Sequence, residues 1–243
     1  MSETVAPATL PLFFNGVVGV SAGQHSHLRI NREAGYGFAA KAQAIPIGLG
    51  EIEVACQHYP IVFTAGPAAT PMVLLGLREA NNQFVLADGS WRPDSYVPAY
   101  CRAYPFLFVE DREKQVTFVA MDPGASSLSA TEGALMFEDG NPSPALNETI
   151  AFCAAFRDSL NDGNAFGAAL QAAGLLEEEE ATITFTAGGT ARVTGFRLLK
   201  ADRLDGIEDA TFLDWRRKGW IKAIYAHLHS AGRWGRLVEL ISK

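Results

Sequence analysis

No apolar run in this chain approaches the roughly 18 residues needed to cross a bilayer, cysteine is scarce, and basic residues do not outnumber acidic ones. The first absence argues against a transmembrane segment. The longest candidate, Leu10 to Val20, is interrupted by Pro11, Asn15 and Gly16 and reads as a buried strand and turn. Cys56, Cys101 and Cys153 are odd in number, widely spaced and in no paired motif, so buried free thiols in a reducing compartment are expected. A net charge of −7 argues against affinity for phosphate backbones, and no nucleic-acid partner is expected. The one basic run, Arg216-Arg217-Lys218, reads as a solvated helix face. Met1-Ser2-Glu3-Thr4 carries an acid where a secretory leader has a positive region, so the expected location is cytoplasmic.

Standard catalytic signatures are missing as well. The chain holds no GxGxxG opening a helix, no GxxxxGK[ST], no GxSxG and no HExxH. Gly188-Gly189 belongs to a hairpin turn, where glycine supplies a positive φ. No cofactor is called for by any motif.

What the chain does have is two grammars. Up to about residue 143, short runs rich in Val, Phe and Tyr alternate with Gly, Pro and Asn turns, as strands do. The predicted strands are Phe13–Val20, Leu28–Ile30, Ile61–Thr64, Val73–Leu77, Gln83–Leu86, Phe106–Glu110 and Val116–Met121. Asp111-Arg112-Glu113-Lys114 and Asn81-Asn82 sit between apolar runs as hairpin tips. One phrase occurs twice, Tyr59-Pro60-Ile61-Val62-Phe63 and Tyr104-Pro105-Phe106-Leu107-Phe108. The segments after the two phrases do not match, so it marks two strand starts, where proline costs no ladder donor.

From Ser143 the period becomes helical. Leu146, Ile150, Cys153 and Phe156 follow a three-to-four spacing behind Pro144, and a second short helix is predicted from Ala165 to Leu175, entered through Asn161-Asp162-Gly163-Asn164. Glu177 to Glu180 reads as a solvated turn. Thr182–Thr186 and Arg192–Leu199 form a hairpin around Ala187-Gly188-Gly189-Thr190, and Thr211 to Leu240 is helical with a break at Gly232. The fold class expected is α+β. A mostly antiparallel sheet forms the N-terminal part, with helices and a β-hairpin in the C-terminal part, in one domain over 1–243 that is β-rich to 143 and helix-containing from 144.

Chemistry-bearing residues are few. His25-Ser26-His27 and His227-Leu228-His229 are both H-x-H pairs. On a strand the first pair would share a face and could grip a metal ion. On a helix the second pair would point about 200° apart and could not. A site built from His25, Glu51 and His227 stays geometrically open, and no metal site is assigned. Cys153 lies on an apolar helix side and reads as core, while Ser126, Ser127 and Ser129 occupy a loop with no nucleophile motif. The aromatic middle of the chain offers Trp91, Tyr96, Arg102 and Tyr104 as candidate binding residues for a peptide or a glycan; packing of a loop over the sheet is the other reading.

A set of ordered pieces gives the chain a likeness. They begin with His25-x-x-Leu28-Arg29, Glu51, Tyr59-Pro60-Ile61-Val62-Phe63 and Leu74-Leu75-Gly76-Leu77, and continue through Asp88-Gly89-Ser90-Trp91, Tyr96-Val97-Pro98-Ala99 and Arg102-Ala103-Tyr104-Pro105-Phe106. Later come Leu135-Met136-Phe137-x-x-Gly140, Gly174-Leu175-Leu176, and Gly219-Trp220 before Tyr225-Ala226-His227-Leu228-x-Ser230. On these the chain resembles the SapC-like family, named for a protein associated with bacterial surface (S-layer) proteins. The resemblance implies a soluble bacterial protein linked to cell-surface proteins or uptake systems. It implies no reaction, and it places His25 and His227 on family positions while leaving His27, His58 and His229 outside them.

Three readings follow. The first is a non-catalytic accessory protein that binds a peptide or protein partner. The second is a metal-dependent enzyme with a His/Glu site, and the third a homodimer whose aromatic patch is its own interface.

Overall fold

The computed structural model describes residues 10–111, 114–185 and 188–241. In chain order the elements are β1 (Val18–Gly19), α1 (Ala22–His25), β2 (Arg29–Ile30), β3 (Ala44–Pro46), α2 (Ile52–Ala55), β4 (Ile61–Thr64), β5 (Pro71–Leu74), α3 (Ala99–Ala103), β6 (Phe106–Asp111) and β7 (Val116–Met121). There follow β8 (Leu128–Ser129), β9 (Ala134–Leu135), β10 (Phe137–Glu138), β11 (Asn141–Pro142), α4 (Pro144–Ala172), β12 (Leu176–Thr184), β13 (Thr190–Leu199), α5 (Asp209–Arg217), α6 (Trp220–Ser230) and α7 (Trp234–Ile241). Every strand pairing among the described residues is antiparallel, which makes this a mixed α+β fold. Residues fall into two compact units, each discontinuous: the described part of Met1–Phe38 with Cys101–Arg157, and Ala39–Tyr100 with the described part of Asp158–Lys243. Neither follows the change of period at residue 144, because each takes chain from both sides of it.

In the first unit the hairpin β6–β7 runs in register from Phe106 opposite Met121 to Asp111 opposite Val116, and β1 extends it to the order β1-β7-β6. A second small sheet has the order β8-β2-β9. The core beneath holds Ile30, Phe106, Met121, Met136, Leu146 and Cys153. Leu146, Ile150 and Cys153 reach it because positions i, i+4 and i+7 share a helix face. Ser143 opens α4 by accepting the Leu146 N–H at 3.2 Å, with Pro144 in the first helical position, where its missing N–H is not needed.

The second unit carries one five-stranded sheet, ordered β12-β13-β4-β5-β3. Ile61, Val62 and Phe63 of its central strand are all buried, so the strand shows no polar alternation and both its faces are covered. Both Tyr-Pro phrases do precede strands, β4 at Ile61 and β6 at Phe106.

Several elements differ from expectation, each for a physical reason. Of Phe13–Val20 only Val18–Gly19 is strand. Phe13 turns with φ 78° and the Asn15 N–H donates to Asp122 Oδ2 at 2.8 Å, while the rings of Phe13 and Phe14 pack on Tyr104. Gln83–Leu86 makes only the bridge Val85–Trp91, because the Asn82 side chain takes the Phe84 N–H at 2.8 Å and donates to Ala39 O at 3.0 Å. Glu177–Glu180 is strand, not turn. It lies on the edge strand β12, where charge is tolerated, with Lys200, Arg203 and Arg192 beside it. Exposed pairs of this kind contribute little to stability, so the ladder to β13 makes the strand and the cations permit it. The tip residues Arg112 and Glu113, and Thr186 and Ala187 of the later hairpin, lie outside the described residues. A further break at Gly219, with φ 75°, separates α5 from α6.

The two expected helices over 146–175 are one, α4, of 29 residues. Asn161-Asp162-Gly163-Asn164 does not cap a helix. Asn164 Oδ1 instead accepts from Thr70 Oγ1 at 2.7 Å. Gly163 and Gly167 are one turn apart and let the helix approach the backbone of its own unit. A Cβ on Gly167 would stand 2.0 Å from Ala69 O, whereas one on Gly163 would stand 3.3 Å from Leu49 N. Gly167→Ala is therefore expected to lower stability by about 1–3 kcal/mol or more through overpacking. Gly163→Ala is expected to stay within about 1 kcal/mol of the parent, helix propensity offsetting a mild contact. Urea unfolding followed by tryptophan fluorescence checks this, since Trp91, Trp215, Trp220 and Trp234 all lie in the second unit. Equal losses for the two variants would contradict it.

Candidate functional site

Glu51 ends a short 3-10 turn, Leu49–Glu51, and its side chain is 6% exposed. Its Oε2 accepts the Gly48 N–H at 2.9 Å. Oε1 accepts the Ala99 N–H at 2.7 Å and the Tyr96 hydroxyl at 3.0 Å. A carboxylate has about four lone-pair sites, and three here are taken by fixed donors. The group ties the start of α3 to the turn before α2.

His25 belongs to the first unit, and Glu51 and His227 to the second. His25 closes the single turn α1, buried, with Nδ1 accepting the Ser21 N–H at 3.1 Å. Desolvation, then the neighbouring His27, hold its pKa below the usual histidine value. His27 lies outside that turn and is exposed, so the two do not form the shared face a strand would give. His227 and His229 divide likewise on α6, one buried and one exposed, as the helical period requires. His227 Nε2 accepts the Leu199 N–H at 3.2 Å, which puts its proton on Nδ1, an atom with no hydrogen-bond partner. The ring packs 5.0 Å from Phe63, and burial pushes its pKa down to about 4. Among the described residues no group of three or more His, Cys, Asp or Glu is placed to hold a metal ion. Cys153 sits in the first unit's core, where burial pushes its thiol up to about 12.

The aromatic middle is a packed cluster in the second unit. Trp91 is 7% exposed and its indole N–H donates to Tyr59 Oη at 3.1 Å. Tyr59 in turn donates to Tyr96 O, and Phe84 lies against both rings, at 4.7 Å from Tyr59 and 6.3 Å from Trp91. Trp91, buried, and Tyr96, half-buried, help hold a loop in place.

Arg102 and Tyr104 are elsewhere, in the first unit, on a cavity of about 340 Å³. That volume is near the lower end of those that take small ligands. Tyr36, Phe38, Tyr104, Pro105, Phe106 and Phe152 make its apolar walls. Phe38 packs 4.2 Å from Tyr104, and the Tyr104 hydroxyl donates to buried Asp122 at 3.1 Å. Burial, then the Asp122 charge, raise that phenol to about 12 and keep it a donor. Burial likewise raises Tyr36. The polar lining is Asn31, Arg32, Arg102, Ser127, Glu148 and Thr149. The Arg102 guanidinium lies over the Phe152 ring at 4.9 Å, and Arg32 pairs with Glu148 at 3.2 Å. Ser127 also lines this space, but its Oγ is itself enclosed and has no hydrogen-bond partner. Tyr36, Phe38 and Phe152 were not singled out as binding residues from sequence. Tyr36 and Phe38 come from one segment and Phe152 from another more than 100 residues away, so no local spacing joins them.

The SapC family model matches residues 20–237. The chain belongs to the SapC family. The match takes in every wall of the cavity, Glu51 with its three donors, and His227. No curated protein and no solved structure matches the chain. In this SapC-family protein the three residues that looked like chemistry are thus each occupied by structural hydrogen bonds, and the open, polar-rimmed space is in the first unit.

The buried His227 fixes a pH dependence. Its folded pKa of about 4 lies below the ordinary 6.5, so the unfolded chain binds the proton first between those values. Its contribution is fully present above pH 6.5 and is lost as pH falls through the window, on the order of 3 kcal/mol by pH 4. His227→Gln, which keeps an acceptor for the Leu199 N–H, is expected to flatten the slope of urea stability between pH 7 and 4.5. An unchanged slope would contradict the assignment.

Proposed function

We propose that this chain is a non-catalytic accessory protein that binds a peptide or protein partner in the aromatic-walled cavity of its first unit. The carrying observation is that cavity: aromatic walls with the Arg102 guanidinium over the Phe152 ring at their edge. Such a combination favours an apolar body fixed by a few polar contacts. The occupation of Glu51 by three donors and the burial of His227 support a non-catalytic reading over a His/Glu enzyme. Family membership supports a role among bacterial cell-surface proteins or uptake systems. The free thiols of Cys56, Cys101 and Cys153 are in keeping with work in the cytoplasm.

Thr149 lines the cavity from α4, and its hydroxyl is used within the helix, donating to Ala145 O at 2.8 Å. Thr149→Trp fills the space from a surface that stays helical. Peptides selected from a random displayed library on the parent protein are expected to lose at least tenfold in affinity for this variant, with the circular dichroism spectrum kept. Undiminished binding of all selected peptides would place recognition elsewhere.

A further inference from the structure

Helix α5 has two unlike sides. Trp215, 4% exposed, faces inward, its ring centroid 6.1 Å from that of Trp220. At 100° per residue from Trp215, the residues Phe212, Arg216, Leu213 and Arg217 fall in that order across one arc of about 60–200°, and all four are exposed. Phe212 and Leu213 keep 42% and 44% of their surface open. Asp209 joins the arc in the first turn of the helix, about two turns from Arg216.

The basic run Arg216-Arg217-Lys218 divides on folding. Lys218 is engaged, paired with Asp214 at 2.6 Å and placed over the Trp220 ring at 4.8 Å. The guanidinium groups of Arg216 and Arg217 have no ion-pair or hydrogen-bond partner among the described residues. Charge is also unevenly spread along the chain. Asp209 to Lys243 carries seven Lys and Arg against three Asp and Glu, while the residues before it carry 13 against 24. A free cationic face on an acidic chain selects an anionic partner.

The interleaving of ring, leucine and guanidinium narrows that partner. An acidic polypeptide meets the two arginines but has no apolar layer beneath its charges for Phe212 and Leu213. A bilayer with anionic headgroups has both, in that order of depth, and a long arginine side chain reaches back to the phosphates while its neighbours go deeper.

We propose that the outer face of α5 docks the protein on an anionic phospholipid bilayer, with Phe212 and Leu213 in the headgroup boundary and Arg216 and Arg217 on lipid phosphates. No helix among the described residues is long and apolar enough to cross a membrane, so the contact is with the surface. Two cations and two apolar side chains, set against an acidic remainder, give weak, reversible and salt-sensitive binding. The face belongs to the second unit and the aromatic cavity to the first, and the docking does not depend on what the cavity binds.

The test sediments the full chain with vesicles of phosphatidylcholine alone and of equal parts phosphatidylcholine and phosphatidylglycerol. The anionic vesicles are expected to bind about tenfold or more tighter, and about 0.5 M salt should abolish the difference. Arg216→Gln with Arg217→Gln should lower the partition coefficient about tenfold, and Phe212→Ser with Leu213→Ser by a similar factor, both with the circular dichroism spectrum kept. Equal binding to the two kinds of vesicle overturns the proposal. So does an undiminished partition of the serine variant with polyglutamate displacing the protein from vesicles, which identifies an acidic polypeptide as the partner. Thr149→Trp should bind vesicles as the parent does. Loss of vesicle binding in that variant would put lipid in the cavity and overturn the assignment to α5, leaving a cavity that binds.

Discussion

A single buried carboxylate governs how the middle of this chain is to be understood. Glu51 accepts from two backbone N–H groups and one tyrosine hydroxyl, and a buried anion in that position must be matched by donors or it destabilises the fold by several kcal/mol. Satisfying it fixes the turn at Gly48, the rotamer of Tyr96 and the entry to α3 together. Tyr96 O then receives the Tyr59 hydroxyl, which in turn receives the indole N–H of Trp91. One charge thereby orders the aromatic stretch that, from sequence, looks most like a recognition loop. Those aromatics pack within the second unit.

The contrast with the first unit is one of satisfied and unsatisfied groups. In the second unit the suggestive polar side chains have donors or acceptors built for them. The exceptions are His58 Nδ1 and His227 Nδ1, the latter on a ring that packs against Phe63 and makes for an acid-sensitive core. In the first unit Ser127 Oγ is likewise enclosed without a hydrogen-bond partner, beside a cavity walled by rings. A buried polar atom left without a partner is a stability cost in either unit.

Much of the fold was legible because local pattern and tertiary environment agree. Ile61–Thr64 and Val116–Met121 were read as strands at the boundaries they have, and the opposition of His227 and His229 followed from the helical period. Where the reading failed, a non-local contact outweighed local preference. Asn161-Asp162-Gly163-Asn164 looks like the entry to a second helix until the approach of Gly163 to Leu49 and the bond from Thr70 to Asn164 are known. Glu177–Glu180 looks like a turn until β13 lies beside it with its cations. Of the candidate binding residues, Arg102 and Tyr104 do line an open cavity, but Tyr36, Phe38, Ser127 and Phe152 join them only through folding. That Ser127 has no partner is a property of the folded chain alone.

On the proposed reading, the suggestive residues of the second unit are structural and recognition belongs to the cleft of the first. Two-dimensional NMR of the labelled protein, titrated with a peptide that binds it, tests this most directly. The expected result is chemical-shift change concentrated at residues 30–38, 101–106, 127 and 148–152, with Trp91, Tyr96 and His227 unmoved. Shifts centred on Trp91, Tyr96, Glu51 or His227 would contradict it.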